Sequence, residues 1–378
     1  MSEALEAIAD RFHPRERITE IRALGSGNVN ETFLVTHEGT YKGGQNGAFV
    51  MQRLNTNVFE RPDLVMRNLV ALGEHVQRRL AVPPPELRGR RWEVPRVVPC
   101  RQQFHWVEHN GQFWRSISYI GAATTTDVIR GREHAREVGY GLGMFHSLIS
   151  DLPANNLADT LENFHVTPTY LDRYDQVLSM QAPDPGDALL NQACGFIETR
   201  RLGIDILESA LARGELQHRP IHGDPKINNV MIDESTGQAV GLIDLDTVKP
   251  GLIHYDIGDC LRSCCNPAGE EADNPEDAHF DLSLCEAILA GYLSVARGFL
   301  SDWDLLYLPD CIRLIPLELG LRFLTDHLEG DVYFHTDDPG HNLRRAAVQF
   351  QLTKSIEAQL PAIRSLVDDL TKSEAGHP

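Results

Sequence analysis

Across residues 220–259 the chain reads PIHGDPKINNVMIDESTGQAVGLIDLDTVKPGLIHYDIGD, and Asp224, Asn229 and Asp244 are the side chains in it that can do chemistry together. Two short apolar runs, Val230-Met231-Ile232 and Val240-Gly241-Leu242-Ile243, are separated by Glu234-Ser235-Thr236-Gly237. Short aliphatic runs divided by turn formers predict a hairpin. A hairpin brings the polar loop before its first strand beside Asp244, which ends its second. Two carboxylates and an amide gathered there suit phosphoryl transfer. One carboxylate orients the attacking hydroxyl, while the amide and the second carboxylate offer oxygens to magnesium on nucleotide phosphates. The alternative is a polar hairpin whose carboxylates only cap turns. The joint spacing speaks against it: an asparagine five residues beyond Asp224, then a strand, then a second strand ending in aspartate.

His222-Gly223-Asp224, Asn229 and Ile243-Asp244 in this order resemble the catalytic and metal-binding loops of the aminoglycoside phosphotransferase family, distant relatives of the protein kinases. The resemblance implies an α+β, protein-kinase-like two-lobed fold. A small mixed β-sheet lobe would span residues 1–120 and bind nucleotide, and a larger, mostly helical lobe would span 121–378. It further implies ATP and Mg2+ as cofactors, Asp224 as the residue that orients the acceptor hydroxyl and takes its proton, and Asn229 and Asp244 as magnesium ligands. Lys226 is expected to reach the transferring phosphate, with a solvated loop lysine as the alternative. Asp246 is a candidate addition to the metal shell. His222 is expected to fix the loop by hydrogen bonding. Asp256 and Asp259 resemble the family's brace, in which a buried carboxylate accepts backbone N–H bonds. Arg262 either braces the loop or faces solvent.

These residues need a nucleotide lobe before them. A short amphipathic helix is expected at 3–12, then a strand at 18–24, a turn containing Gly25, Gly27 and Asn28, and a strand at 32–36. Gly25, Gly27 and Asn28 are candidates for laying backbone N–H groups over phosphates. A further strand, 48–54, carries Arg53 where a kinase has its phosphate-binding lysine; an exposed strand-end arginine is the alternative. Pro62 opens a helix through Leu80, since proline suits the first helical position. On that helix Glu74 is expected to face solvent, with a position facing Arg53, as the kinase helix glutamate faces its lysine, as the alternative. Strands at 94–98 and 114–120 complete a sheet of about five. Ile120 then marks the hinge whose backbone is expected to meet the adenine edge.

The C-terminal third bears on the acceptor. Helices are expected at 133–149, with His146 in a packing role, at 194–213, from 311 onward, and at 342–371. Met51-Gln52-Arg53-Leu54-Asn55-Thr56-Asn57-Val58-Phe59, the Leu319-to-Asp326 run, Gly330-Asp331-Val332-Tyr333-Phe334 and His341-Asn342-Leu343-Arg344 resemble the N-acetylhexosamine 1-kinases. That likeness implies phosphorylation of GlcNAc or GalNAc at the anomeric hydroxyl, with Arg322 and Tyr333 contacting the sugar. From the residues alone, Arg322 can equally pair with Asp326 four residues on.

Composition narrows the remaining classes. Lys+Arg 35 against Asp+Glu 54 leaves −19, which argues against nucleic acid or an anionic membrane as partner. Seven cysteines without zinc-type spacing suggest reduced thiols and a cytoplasmic location. No membrane span or obligate protein partner is indicated, so the expected partners are ATP and a small sugar. The rivals are a kinase for another alcohol (aminoglycoside, choline or homoserine) and a nucleotide-binding pseudokinase.

Overall fold

A five-stranded antiparallel sheet stands over a helical body, and the hairpin that ends in Asp244 lies where the two meet. The computed structural model describes residues 3–12, 17–25, 29–40, 46–180, 183 and 185–374. Helix α1 (Glu3–Phe12) precedes β1 (Ile18–Ala23), β2 (Glu31–Thr40) and β3 (Asn46–Arg53), and α2 (Pro62–Leu80) follows. β4 (Val107–His109) and β5 (Gln112–Ser118) complete the sheet in the order β1-β2-β3-β5-β4, and β6 (Ala123–Thr124) crosses to the second lobe. There follow α3 (Arg132–Ile149), α4 (Thr167–Met180), α5 (Ala188–Glu198), α6 (Ile206–Ala212), β7 (Arg219–Ile221), β8 (Val230–Asp233), β9 (Ala239–Leu242) and β10 (Lys249–Gly251). The chain ends in α7 (Ile253–Cys264), α8 (Leu282–Ala296), α9 (Asp302–Leu306), α10 (Leu308–Leu328) and α11 (His341–Glu374).

Two expected elements are corrected. Residues 94–98 form no strand, because Pro95 offers no N–H to a ladder; they make only the Val97–Ile117 bridge and flanking bonds. The fifth strand is instead β4, the hairpin partner of β5. The helix expected over 194–213 is broken into α5 and α6, with Gly203 between them at φ +79°. That left-handed backbone suits glycine and cannot continue a right-handed helix.

The sheet's two faces have different tasks. Phe33, Val35, Phe49, Met51 and Trp114 share one face and bury it against Ile8, Ala9 and Phe12 of α1. The opposite face, with Thr32, Val50, Gln52, Arg115 and Ile117, looks onto Asp244, Leu245 and Asp246 of the second lobe. In that lobe α3 and α8 approach so closely that a Cβ on Gly139 would lie 1.9 Å from the Ile288 carbonyl oxygen. One on Gly291 would lie 2.0 Å from that of Arg136. Glycine at the crossing therefore sets the spacing that joins His146 of α3 to Tyr292 of α8.

Candidate active site

β7 delivers the chain into the loop that carries Asp224. Gly223 turns it at φ +89°, and a Cβ there would meet the Thr247 carbonyl oxygen at 2.6 Å, so both conformation and space require glycine. The loop is held from beneath by the fully buried Asp256 of α7. Its carboxylate accepts the His222 N–H at 2.6 Å and the Gly223 N–H at 2.8 Å. Asp256 is held in turn by His146 Nε2 at 2.8 Å, and His146 Nδ1 meets the Tyr292 hydroxyl at 2.9 Å. His146 thus belongs to the brace, whereas the sequence indicated packing alone. Burial lowers the His222 pKa, and its Nε2 bonds the Ile243 carbonyl at 2.9 Å, so it holds the two loops together. From the acceptor side, His165 joins the Gly223 carbonyl at 2.9 Å to Glu318 of α10 at 2.9 Å.

On this frame the hairpin of β8 and β9 brings Asp224, Lys226, Asn229 and Asp244 to one end. Lys226 Nζ lies 3.0 Å from Asp224 Oδ2. Asn229 Nδ2 donates to the Asp224 carbonyl at 2.7 Å, which turns its Oδ1 free for a ligand. Asp244 sits at φ +61°, a left-handed backbone that is strained for aspartate. It accepts no hydrogen bond from protein among the described residues. Burial raises its pKa, and the charge of Asp246 raises it further. An amide oxygen beside an unpaired carboxylate that its surroundings destabilise fits a divalent cation. Among the described residues no three His, Cys, Asp or Glu side chains gather to hold a metal alone. The amide oxygen of Asn229 and the carboxylate of Asp244 are donors of the kind that magnesium takes, one or two from protein with phosphate and water completing the shell.

Asp246 does not extend that shell. It is buried, 2.5 Å from Arg115 Nη1, and accepts from Asn30 Nδ2 at 2.7 Å, so it ties the two lobes together. Arg53 is also redirected. It lies on the α1 face of β3 with Met51 and ion-pairs Glu31 across the sheet, away from Asp244. The alternation of side chains along a strand puts Gln52, not Arg53, over the cleft. Gly25 takes φ +73° in the β1–β2 turn, while Gly27 and Asn28 lie outside the described residues. Ile120 is buried with Met231, Val240 and Ile243 beneath the junction of the lobes, where the Gly121 carbonyl accepts from Arg91. Glu74 is exposed.

A cavity of about 1900 Å³ opens beside Asp224 and Lys226, walled by α10 and the segment after it. Arg322 enters it with no carboxylate partner among the described residues. Its guanidinium carbon lies 5.1 Å from the ring centres of Phe164 and Tyr170 and 5.4 Å from that of Phe334. The alternative pairing with Asp326 is not made. Asp326 accepts the N–H groups of Val332, Tyr333 and Phe334 at 2.8–3.0 Å and the Asn342 amide at 2.9 Å. It therefore shapes the loop that sets Tyr333, 64% exposed, at the cavity mouth. Asp259 also lines the cavity; Arg262 holds its Oδ1 at 2.8 Å, while its buried Oδ2 has no hydrogen-bond partner among the described residues.

Residues 20–295 match the phosphotransferase enzyme family. The chain belongs to that family. Solved structures share the two-lobed kinase-like fold. An aminoglycoside phosphotransferase from Alicyclobacillus acidocaldarius subsp. acidocaldarius DSM 446 superposes with TM-score 0.61 at 16% identity, covering 96% of each chain. A microcompartment-associated aminopropanol kinase gives 0.57 at 19%, covering 96% of this chain and 99% of that one. Wild-type aminoglycoside 2'-phosphotransferase-IIIa, in its GDP complex, gives 0.53 at 14%, covering 98% of both. No helix among the described residues is long and apolar enough to cross a membrane.

The protein is a small-molecule phosphotransferase, and Asp224, the expected proton acceptor, lies in an unusual electrostatic setting. Burial raises the Asp224 pKa to about 6; Lys226 opposes the shift, and Asp259 and Asp244 add to it. A protonated Asp224 cannot take the hydroxyl proton. In the phosphotransferase, kcat/KM for the acceptor is therefore expected to fall as pH drops through about 6, read from a pH–rate profile of the free enzyme. A profile flat to pH 5 contradicts this. Sequence reasoning assigned Asp259 only to the brace, and it missed Arg115, Asn30 and His165. Each acts through partners distant in the chain, and only the alternation of residues 112–118 hinted that Arg115 shares a face with apolar neighbours.

Proposed function

We propose that the protein transfers the γ-phosphoryl group of ATP to the anomeric hydroxyl of an N-acetylhexosamine, GlcNAc or GalNAc, giving the sugar 1-phosphate. Arg322 carries the reading. A guanidinium with no carboxylate partner among the described residues, surrounded by aromatic rings in the cavity that holds Asp224, offers N–H donors to a carbonyl or hydroxyl oxygen. The Phe164, Tyr170 and Tyr333 rings offer apolar faces to the C–H side of a sugar. The unpartnered Asp259 Oδ2 takes a hydroxyl hydrogen, a bond that a neutral polyol supplies. The choice of sugar and of its anomeric oxygen rests on the likeness of residues 319–344 to the N-acetylhexosamine 1-kinases.

The acceptor oxygen forms a bond to the γ-phosphorus while the bond from that phosphorus to the β–γ bridging oxygen breaks, and ADP leaves with the electron pair. Asp224 aligns the hydroxyl and receives its proton late in the transfer, because positioning outweighs basicity in a loose transition state. Lys226, beside Asp224, meets charge on the transferring group. Asn229 and Asp244 would hold magnesium, which when bound neutralises charge on the β- and γ-phosphates.

The test is ADP release from ATP and magnesium with GlcNAc, GalNAc, kanamycin and choline offered separately, followed by phosphorus NMR of the product. A sugar 1-phosphate signal is expected. Release with kanamycin or choline alone rejects the acceptor assignment. Arg322→Gln is expected to raise the sugar KM by about 10–150-fold, the range for a lost hydrogen bond to a charged group, with the ATP KM unchanged. Equal losses in both KM values would assign Arg322 to the fold instead.

A further inference from the structure

On the cleft face of the sheet the position opposite Asp244 is not occupied by a strand-end lysine or by Arg53. The pairing of β3 with β5 sets Gln52 directly across from Arg115, so both side chains share that face. Arg115 Nε donates to Gln52 Oε1 at 2.9 Å, and Gln52 Nε2 donates onward to the Thr32 hydroxyl at 3.1 Å. This chain of bonds holds the guanidinium plane in the cleft. Arg115 and Gln52 line, from the sheet, the small cavity that Asp244, Leu245 and Asp246 close from the second lobe.

Arg115 is 2% exposed, and its Nη1 lies 2.5 Å from Asp246 Oδ1, yet neither atom makes a well-directed hydrogen bond. A guanidinium has five N–H donors in a planar fork, and here several remain to be used. Asp246 keeps its second tie, the 2.7 Å bond from Asn30 Nδ2, whichever way Arg115 turns. Arg115 can thus offer one arm to an incoming anion while another stays beside Asp246, which keeps its hydrogen bond from Asn30.

We propose that Arg115 is the sheet cation that holds the phosphates of the bound nucleotide, with Asp246 as the carboxylate that orients it. The proposal rests on the nucleotide-dependent reading above and replaces the role that the sequence suggested for Arg53. A planar fork binding two phosphate oxygens from β5 stands in for the point charge of a lysine on β3.

The experiment is calorimetric titration of ADP and of adenosine, with guanosine nucleotides in parallel, into the wild type, Arg115→Met, Arg115→Lys and Arg53→Gln. Arg115→Met is expected to weaken ADP by about 10–100-fold, the effect of losing a charged hydrogen bond to phosphate. Adenosine affinity should be unchanged, and Arg53→Gln should match the wild type for both ligands. Should Arg115→Met fail to fold, Arg115→Lys keeps a cation beside Asp246 and is expected to show a smaller loss, again confined to ADP. Unchanged ADP affinity in the folded Arg115 variants overturns the proposal. So does an equal loss of ADP and adenosine, which is what an interlobe brace alone would produce. A wild type that binds neither nucleotide overturns the nucleotide-dependent reading itself, and this one with it.

Discussion

Asp224→Asn is expected to lower turnover by about 10²–10⁴-fold, the range for removing a positioned general base, while ADP affinity stays within a few-fold of wild type. The substitution is nearly isosteric. The Asn229 bond to the residue-224 carbonyl involves only backbone at that position and survives. What is lost is the carboxylate proposed to accept the proton and the charge facing Lys226 at 3.0 Å. A second consequence has the opposite sign. Burial raises the Asp224 pKa to about 6, so the fold prefers the neutral carboxyl. The stability this group contributes is fully present below its unfolded pKa, near 3.9, and is lost as pH rises through about 6. At pH 7.5 the neutral amide should therefore leave the melting temperature unchanged or raise it, an exchange of stability for activity. Turnover near the wild-type rate in this variant would remove Asp224 from its role.

Asp256→Ala is expected to destabilise the protein by about 3–5 kcal/mol, the range for breaking a buried charged pair, and to reduce turnover in whatever fraction stays folded. Three donors lose their acceptor: the His222 and Gly223 N–H groups and His146 Nε2. All lie in protein where water cannot replace the bond, so the desolvation penalty of each is left standing. Against a total stability of about 5–15 kcal/mol this is a large share. Asp256→Asn, which keeps one acceptor oxygen, should fall between. Urea unfolding of the three proteins measures the effect, and an alanine variant with the wild-type midpoint would mean that the loop is held by other contacts. The pH response follows the same logic. Burial works against the Asp256 carboxylate, but bonding to His146, the charge of His222 and its backbone bond leave its pKa below the usual value. Its stabilisation is therefore present above the unfolded pKa and lost as pH falls through the folded one.

The contrast between Asp256 and Arg53 shows which kinds of contact can be read along the chain. Asp256 sits within the same forty-residue stretch as the loop it braces, and its spacing from His222 resembles that of the family. Arg53 occupies the end of a strand whose existence is plain from Ala48-Phe49-Val50-Met51, yet the face it takes depends on register with β2 and β5. Because side chains alternate along a strand, a one-residue difference moves a cation from the cleft to the outer face. Here that difference sent Arg53 to Glu31 and left the cleft to Gln52 and Arg115. The Arg322–Asp326 pair failed for a related reason. Four-residue helical spacing permits the contact, but the three N–H groups of residues 332–334 approach Asp326 from a loop and claim its carboxylate.

The sequence by itself determined the hairpin of β8 and β9, the helices at 3–12, 62–80 and 342–371, and the meeting of Asp224, Asn229 and Asp244, because those outcomes follow from short-range spacing and apolar periodicity. The tertiary structure alone decided what stands opposite them. Asn30 reaches Asp246 across 216 residues, Arg115 closes the same contact from the sheet, and Arg322 stands among aromatic rings with no ion-pair partner among the described residues. Such contacts depend on strand register, interlobe packing and competition for each carboxylate, all set by the whole fold rather than by any one stretch of chain.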